Sequence, residues 1–354
     1  MGPAETQLHS QNRPARSLRQ TNFSLTQVEL PSASMEQEVL TGLLNVPKKI
    51  LPKYLYDAEG SRLFDRICEL PEYYPTRVET AILARYAGEI LDRIGHDLCV
   101  IEPGAGACRK SRFLLETGNV STFIPVDIST EHLRHSAQEV ASCFPHVAVH
   151  AVAMDFLAAL PGLQPILPRG GRRVIFYPGS SIGNFDPPEA CRLLTQFGRL
   201  LNEDDMLLIG FDLRKDPELL RRAYDDSQGV TAAFNLNLLS RLNRELGTDF
   251  DVDAFRHIAL YHEAPGRIEM HLESLIAQEV AIAHERIFID ASERIHTENS
   301  YKYSVAQFDA MAAGAGFSPV GGWRDSAGCF AVGLYAKRLP KPSRAGRNAR
   351  PRKA

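Results

Sequence analysis

Three carboxylates stand at the ends of three successive apolar stretches. Glu102 closes "DLCVIEP", Asp127 closes "TFIPVD", and Asp155 follows "VAVHAVAM". Just beyond the first lie Gly104 and Gly106 in "IEPGAGACRK". An apolar run, an acid, two glycines and an amphipathic start give the order strand, tight loop, helix, with the helix expected from about Arg109. Loops of this kind hold dinucleotides, nucleoside triphosphates or S-adenosylmethionine. A dinucleotide loop needs a third glycine for close helix packing, and Arg109 occupies that place. A triphosphate loop ends G-K-[ST]; Lys110 and Ser111 are present, but Arg109 again replaces the glycine. S-adenosylmethionine carries no phosphate. It needs glycines so that the backbone can approach, and acids to accept hydrogen bonds from ribose hydroxyls. Asp127 stands about twenty residues past the glycines, where an acid reaches a ribose. Asp155 suits an adenine amino group, with the Phe156 ring against the base. The competing role for each acid is to cap a helix or a turn.

In an open parallel sheet the ligand lies at the carboxyl ends of the strands. That rule puts "PGSSIGNF", after the fourth strand, beside the methyl group, with Asn184 as the residue able both to donate and to accept. Its competing role is a cap before Pro187. Two tyrosine-bearing stretches, "YLYDAEGSRLFDRICELPEYYPTR" and "RAYDDSQGVTAAFNLN", pair phenols with Asp and Asn and suggest a polar pocket for a small zwitterion. A metal is not expected. His132 and His135, and His146 and His150, are spaced as pairs, but no acid or thiol cluster completes either site.

These side chains need a scaffold. Strands are expected at "DLCVIEP", "TFIPVDIST", "VAVHAVAMDF", "RRVIFYPGSSIGNF" and "DDMLLIGFDL", with helices between them. That alternation means an α/β fold with a doubly wound, largely parallel sheet. The rhythm then breaks. Residues 216–246 read as helical, about 255–289 as strands, and Glu298 to Ala313 as helix again, before two closing strands in "FSPVGGWRDSAGCFAVGLYAK". A second, α+β module is therefore expected from residues 26–77 plus 214–301. The sheet domain takes 78–213 plus 302–337, and residues 1–25 and 338–354 form loose tails.

The bulk properties agree with a globular protein. The chain has 354 residues, 44% hydrophobic and 23% charged, enough for a sizeable core. No apolar run approaches the roughly 18 residues of a membrane span, and no secretory signal is expected. Six scattered cysteines fit reduced thiols in a cytoplasm. Net charge is −3, yet Lys337 to Ala354 holds eight basic residues and no acid; the expected reading is a solvated end that binds neither nucleic acid nor membrane.

Together "YDAEGSRLF", "PEYYPTR", "IEPGAG", "GSSIGNF", "YDDSQGVTAAFNLN" and "HTENSYKY" resemble the L-histidine Nα-methyltransferases of ergothioneine synthesis. The resemblance runs in order from about Pro47 to Lys337. It implies a class I methyltransferase domain with a second domain over the amino acid; a monomer is expected. It implies cofactor contacts from Gly104, Lys110, Asp127, Asp155 and Phe156. It also implies that Tyr73, Asn184 and Tyr224 hold the substrate carboxylate, Tyr56 lies near the α-amine, Glu298 and Ser300 bond the imidazole, and Met270 lines the pocket. The catalytic candidates are Tyr56 and Asn184. The alternatives left open are methylation of another amino acid, a sensor that binds S-adenosylmethionine without turnover, and a nicotinamide oxidoreductase, which Arg109 disfavours.

Overall fold

The computed structural model describes residues 22–28, 33–168 and 170–338. The remainder of both expected tails lies outside the described residues. In chain order the elements are β1 (Phe23–Gln27), α1 (Met35–Leu44), α2 (Ala58–Ile67), α3 (Tyr74–Ile94), β2 (Leu98–Pro103), α4 (Arg112–Leu115), β3 (Val120–Asp127), α5 (Thr130–Cys143), β4 (Ala148–Ala153), α6 (Phe156–Ala159), β5 (Arg172–Tyr177), α7 (Pro187–Leu200), β6 (Met206–Asp212), α8 (Pro217–Tyr224), α9 (Val230–Leu246), β7 (Phe255–His262), β8 (Arg267–Ser274), β9 (Gln278–Ile282), β10 (Glu285–Ile289), β11 (Arg294–Tyr301), α10 (Val305–Gly314), β12 (Phe317–Arg324) and β13 (Phe330–Lys337).

Eight strands make one sheet in the order β1-β4-β3-β2-β5-β6-β13-β12. β13 runs antiparallel to its neighbours β6 and β12, and the other pairings are parallel. Both faces are buried, so the strands read as continuous apolar runs. In β2, Cys99 and Ile101 enter one core while Leu98 and Val100 enter the other. Helices α3, α4 and α5 cover one face, and α7 and α10 the other. The chain reverses its direction of winding between β2 and β5, which opens the crevice where ligands bind in such sheets.

A third core belongs to the second module. It joins residues of α1, α2, α8 and α9 to the three-stranded sheet β11-β8-β7 and the hairpin β9-β10. Helix α3 straddles the two parts: Tyr74 lies in the small core, and Ile82 onward in the sheet core.

Three sequence expectations are corrected. Phe23–Gln27, partly assigned to a loose tail, is an edge strand, paired in parallel with β4 and fastened by Asn22 to the carbonyls of Ala141, Phe144 and Val147. The helix expected from Arg109 is the four residues Arg112–Leu115. The helix expected from Glu298 begins only at Val305, capped by Ser304; Glu298 to Tyr301 are the second half of β11. The stretch is polar and shows no clean alternation, and pairing with β8 imposes the strand.

Candidate active site

The glycine loop is wound by left-handed backbone, with Gly104 at φ +70, Gly106 at +50 and Cys108 at +51. A side chain at Gly104 would stand 3.7 Å from the Phe156 ring, whereas one at Gly106 would meet nothing within 4 Å. Asp127 ends β3 and accepts from the Gly106 N–H at 3.0 Å and the Ser129 N–H at 2.9 Å. Asp155 caps α6, accepting from Leu157 and Ala158, and its other oxygen takes Lys53 at 3.0 Å. The capping role and the ligand role coexist here, since each carboxylate oxygen has two lone pairs. Glu102 is buried, with Oε2 unpartnered. Burial pushes its pKa up to about 8, against the pull of Ser111 and Lys110.

Lys110 reaches down to Glu79, a fully buried residue of α3, at 2.5 Å. The same oxygen of Glu79 accepts from the Gly179 N–H at 2.8 Å. Glu79 thereby laces the loop after β2 to the loop after β5, the two that flank the crevice. Gly210 is required beside it: a Cβ there would sit 1.9 Å from Glu79 Oε1.

Beyond β5 a 3₁₀ turn, Ser181–Asn184, carries Asn184 across to the second module. Asn184 is not a cap; Asp186 caps α7, in a capping box with Glu189. Instead Asn184 Nδ2 donates to Glu298 Oε1 at 3.0 Å. The turn approaches β11 so closely that a Cβ on Gly183 would lie 2.7 Å from the Tyr301 carbonyl. Glu298 is buried, and burial pushes its pKa up to about 7, opposed by Lys302. Met270, also buried, sits opposite it in the β8–β11 register. Ser300 is two residues on, its Oγ 2.7 Å from the Tyr224 hydroxyl. Glu298 and Ser300 face one pocket because they are in a strand, whose side chains alternate with period two; a helix would have turned them apart.

The tyrosines form an aromatic wall. Tyr56 meets Phe64 and Phe234 with ring centroids at 5.6 and 5.5 Å, Phe64 meets Tyr73 at 6.2 Å, and Tyr73 meets Tyr224 at 6.0 Å. Burial first, then neighbouring acids and phenols, holds the Tyr56 and Tyr73 hydroxyls well above the ordinary range, so both stay protonated. Tyr56 is also tied to the cofactor side, its carbonyl accepting from Ser129 Oγ at 2.9 Å. The cofactor candidates thus stand at the carboxyl ends of β2, β3 and β4, the substrate candidates Tyr73, Tyr224, Met270, Glu298 and Ser300 in the second module, and the Asn184–Glu298 and Ser129–Tyr56 hydrogen bonds join the two sets.

A family model described as histidine-specific methyltransferase, S-adenosylmethionine-dependent, matches residues 35–337. The chain belongs to this family of methyltransferases. It is 40% identical to a histidine N-alpha-methyltransferase of Mycobacterium tuberculosis over 86% of this chain and 95% of that protein. It is 31% identical to ergothioneine biosynthesis protein 1 of Neurospora crassa over 78% of this chain, spanning about a third (32%) of that longer protein. Among solved structures, the CcbJ methyltransferase of Streptomyces caelestis aligns with 72% of this chain and 94% of its own, at 15% identity and a TM-score of 0.44.

The residues present fit the family's cofactor. The open space over Gly106, the ring beside Gly104 and the acids at three strand ends make a cradle for a phosphate-free nucleoside. A four-residue α4 offers little of the helix-terminus field that a pyrophosphate would use. Among the described residues no cluster of three His, Cys, Asp or Glu could hold a metal. Among the described residues no helix is long and apolar enough to cross a membrane.

Sequence reasoning missed four residues of this methyltransferase site: Glu79, Asp212, Lys215 and Lys302. Lys302 was within reach, since "ENSYK" read as a strand puts Glu298, Ser300 and Lys302 on one face.

Proposed function

We propose that the chain transfers methyl groups from S-adenosylmethionine to the α-amine of L-histidine, up to three times. The product is the histidine betaine used for ergothioneine. The observation that carries this is Glu298, a buried carboxylate on the same strand face as Ser300: an acceptor and a hydroxyl matched to the two nitrogens of an imidazole. A site built on such bonds rejects side chains that leave them unpaired. Met270 lines the ring pocket. Tyr73, Tyr224 and the free valences of Asn184 hold the carboxylate. Gly104, Lys110, Asp127, Asp155 and Phe156 hold the cofactor, which supplies, when bound, an electrophilic methyl group.

The rest is done by position and desolvation. The amine must arrive as free base. Burial and the positive charge of the bound cofactor disfavour an ammonium there, since like charges oppose protonation. A protonated Tyr56 cannot act as a base at neutral pH. It accepts a hydrogen bond from an amine N–H and so turns the nitrogen lone pair. Each of the first two transfers leaves an ammonium, which gives up one proton to solvent while the spent cofactor is exchanged; the amine then rotates. The third methylation leaves a permanent cation, and the rings of Tyr56, Phe64 and Phe234 are placed to receive it.

The proposal includes a monomer in the cytoplasm acting on a small molecule; six unpaired cysteines are compatible with that compartment. The test is incubation of the pure protein with S-adenosylmethionine and the twenty amino acids, followed by mass spectrometry. Histidine alone should gain three methyl groups. Methylation of a different amino acid would replace the substrate assignment, and binding without product would make the chain a sensor.

A further inference from the structure

Lys302 is fully buried, and so is its partner Asp212. Its ammonium has three N–H groups, and each has an acceptor: Asp212 Oδ2 at 2.9 Å, Tyr224 Oη at 2.9 Å and Ser300 Oγ at 2.8 Å. Asp212 is held in turn by Tyr74 at 2.6 Å and Lys215 at 2.5 Å, and its backbone N–H donates to Ser180 at 2.9 Å. Burial would raise the Asp212 pKa, but the two ammoniums hold it below the ordinary carboxylate range. Asp212 in turn keeps Lys302 charged against burial.

Counting hydrogens then fixes what Tyr224 and Ser300 can offer. Each oxygen has one proton and two lone pairs. Each spends a lone pair on Lys302. The two oxygens are 2.7 Å apart, so one donates to the other. Whichever accepts has both lone pairs filled and only its own proton left. We propose that Lys302, anchored by Asp212, is a positioning residue for the substrate: it fills a lone pair on each oxygen, so that the Tyr224–Ser300 pair, which spends one proton on its own bond, turns to histidine as the donor of the other. That proton goes either from Tyr224 to the carboxylate or from Ser300 to the unprotonated ring nitrogen, and substrate binding chooses between them. The pair is thus a single donor shared between two ends of one substrate. The inference rests on the histidine reading above.

The first test is a cycle of mild variants, Tyr224→Phe, Ser300→Ala and the double. If the pair delivers one proton, either single variant leaves one hydroxyl, freed from its partner, still able to deliver it, so the KM for histidine rises by no more than about threefold. The double has no proton left to give, and its KM rises by about tenfold or more, in the range expected for a lost hydrogen bond near a charge. Tenfold losses in each single variant that multiply in the double would show two independent donors and overturn the proposal, as would an unchanged KM in the double. The second test is Lys302→Met, which leaves Asp212 paired with Lys215 and hydrogen-bonded by Tyr74, so that no buried charge loses its last partner. Histidine KM should rise at least tenfold, with affinity for S-adenosylhomocysteine by calorimetry within about twofold. Adding Ser300→Ala to this background should then change little. Lys302→Arg should restore part of the loss. An unchanged histidine KM, or an equal fall in activity on histidine, phenylalanine and histidinol, would make Lys302 merely structural and overturn the proposal. Failure of the wild-type protein to methylate histidine would instead remove the substrate reading itself.

Discussion

Replacing Glu298 by Gln should make the protein more stable and worse at its chemistry, and the two effects have one cause. The side chain is 7% exposed, and burial lifts its pKa from 4.5 to about 7. A carboxyl with a raised folded pKa binds its proton more tightly folded than unfolded. Stability therefore falls as pH rises from the unfolded value through the folded one, and the whole penalty is present above about pH 7. The interval corresponds to roughly 3 kcal/mol at 1.36 kcal/mol per pH unit. Gln keeps the shape and still accepts from Asn184 Nδ2, but it carries no charge to desolvate. Glu298→Gln should then melt several degrees higher than the wild type at pH 8, and the difference should largely vanish at pH 5. The same change removes a charged acceptor from the imidazole N–H, a loss of roughly 1.5–3 kcal/mol. The ratio of kcat/KM on histidine to that on tryptophan should fall about tenfold to a hundredfold. Calorimetric melting at the two pH values and steady-state kinetics on both amino acids decide it. A variant that melts lower at pH 8, or that keeps the histidine-to-tryptophan ratio, would refute the reasoning, because the carboxylate would then be serving the fold.

Asp127→Ala should weaken S-adenosylmethionine binding by roughly 1.5–3 kcal/mol, read by titration calorimetry; an unchanged affinity would remove Asp127 from the cofactor site. Gly183→Ala would force a Cβ within 2.7 Å of the Tyr301 carbonyl, so melting temperature should drop by an overpacking cost of about 1–3 kcal/mol and histidine kcat/KM should fall with it as Asn184 is displaced. Phe234→Leu removes a ring from the wall around Tyr56. Loss of about 0.5–2 kcal/mol of cation–π stabilisation should slow the last methylation most, seen as dimethylhistidine accumulating in time courses; slowing all three steps equally would argue for packing alone.

What the sequence determined by itself was local. Glu102, Asp127 and Asp155 each follow an apolar run whose burial on both sheet faces is written in consecutive residues. The strand ends, and so the cofactor edge, could be read from that pattern. The long motifs likewise showed the family, because short-range requirements hold their residues. Asp57 caps α2 through the Gly60 N–H, and a Cβ on Gly60 would collide with the Leu55 carbonyl at 1.7 Å. Asp226 accepts from the N–H groups of Val230 and Thr231 at the start of α9. The tertiary structure decided the rest. Phe23–Gln27 is a strand only because β4 offers it an open edge more than a hundred residues away. "HTENSYKY" is a strand only because β8 pairs with it, and that pairing turns Glu298, Ser300 and Lys302 to one side. Asp212 and Lys302 lie ninety positions apart, and their attraction depends on a water-free interior. No local pattern in the chain could specify it, since the dielectric around the two charges exists only once both domains have closed around them.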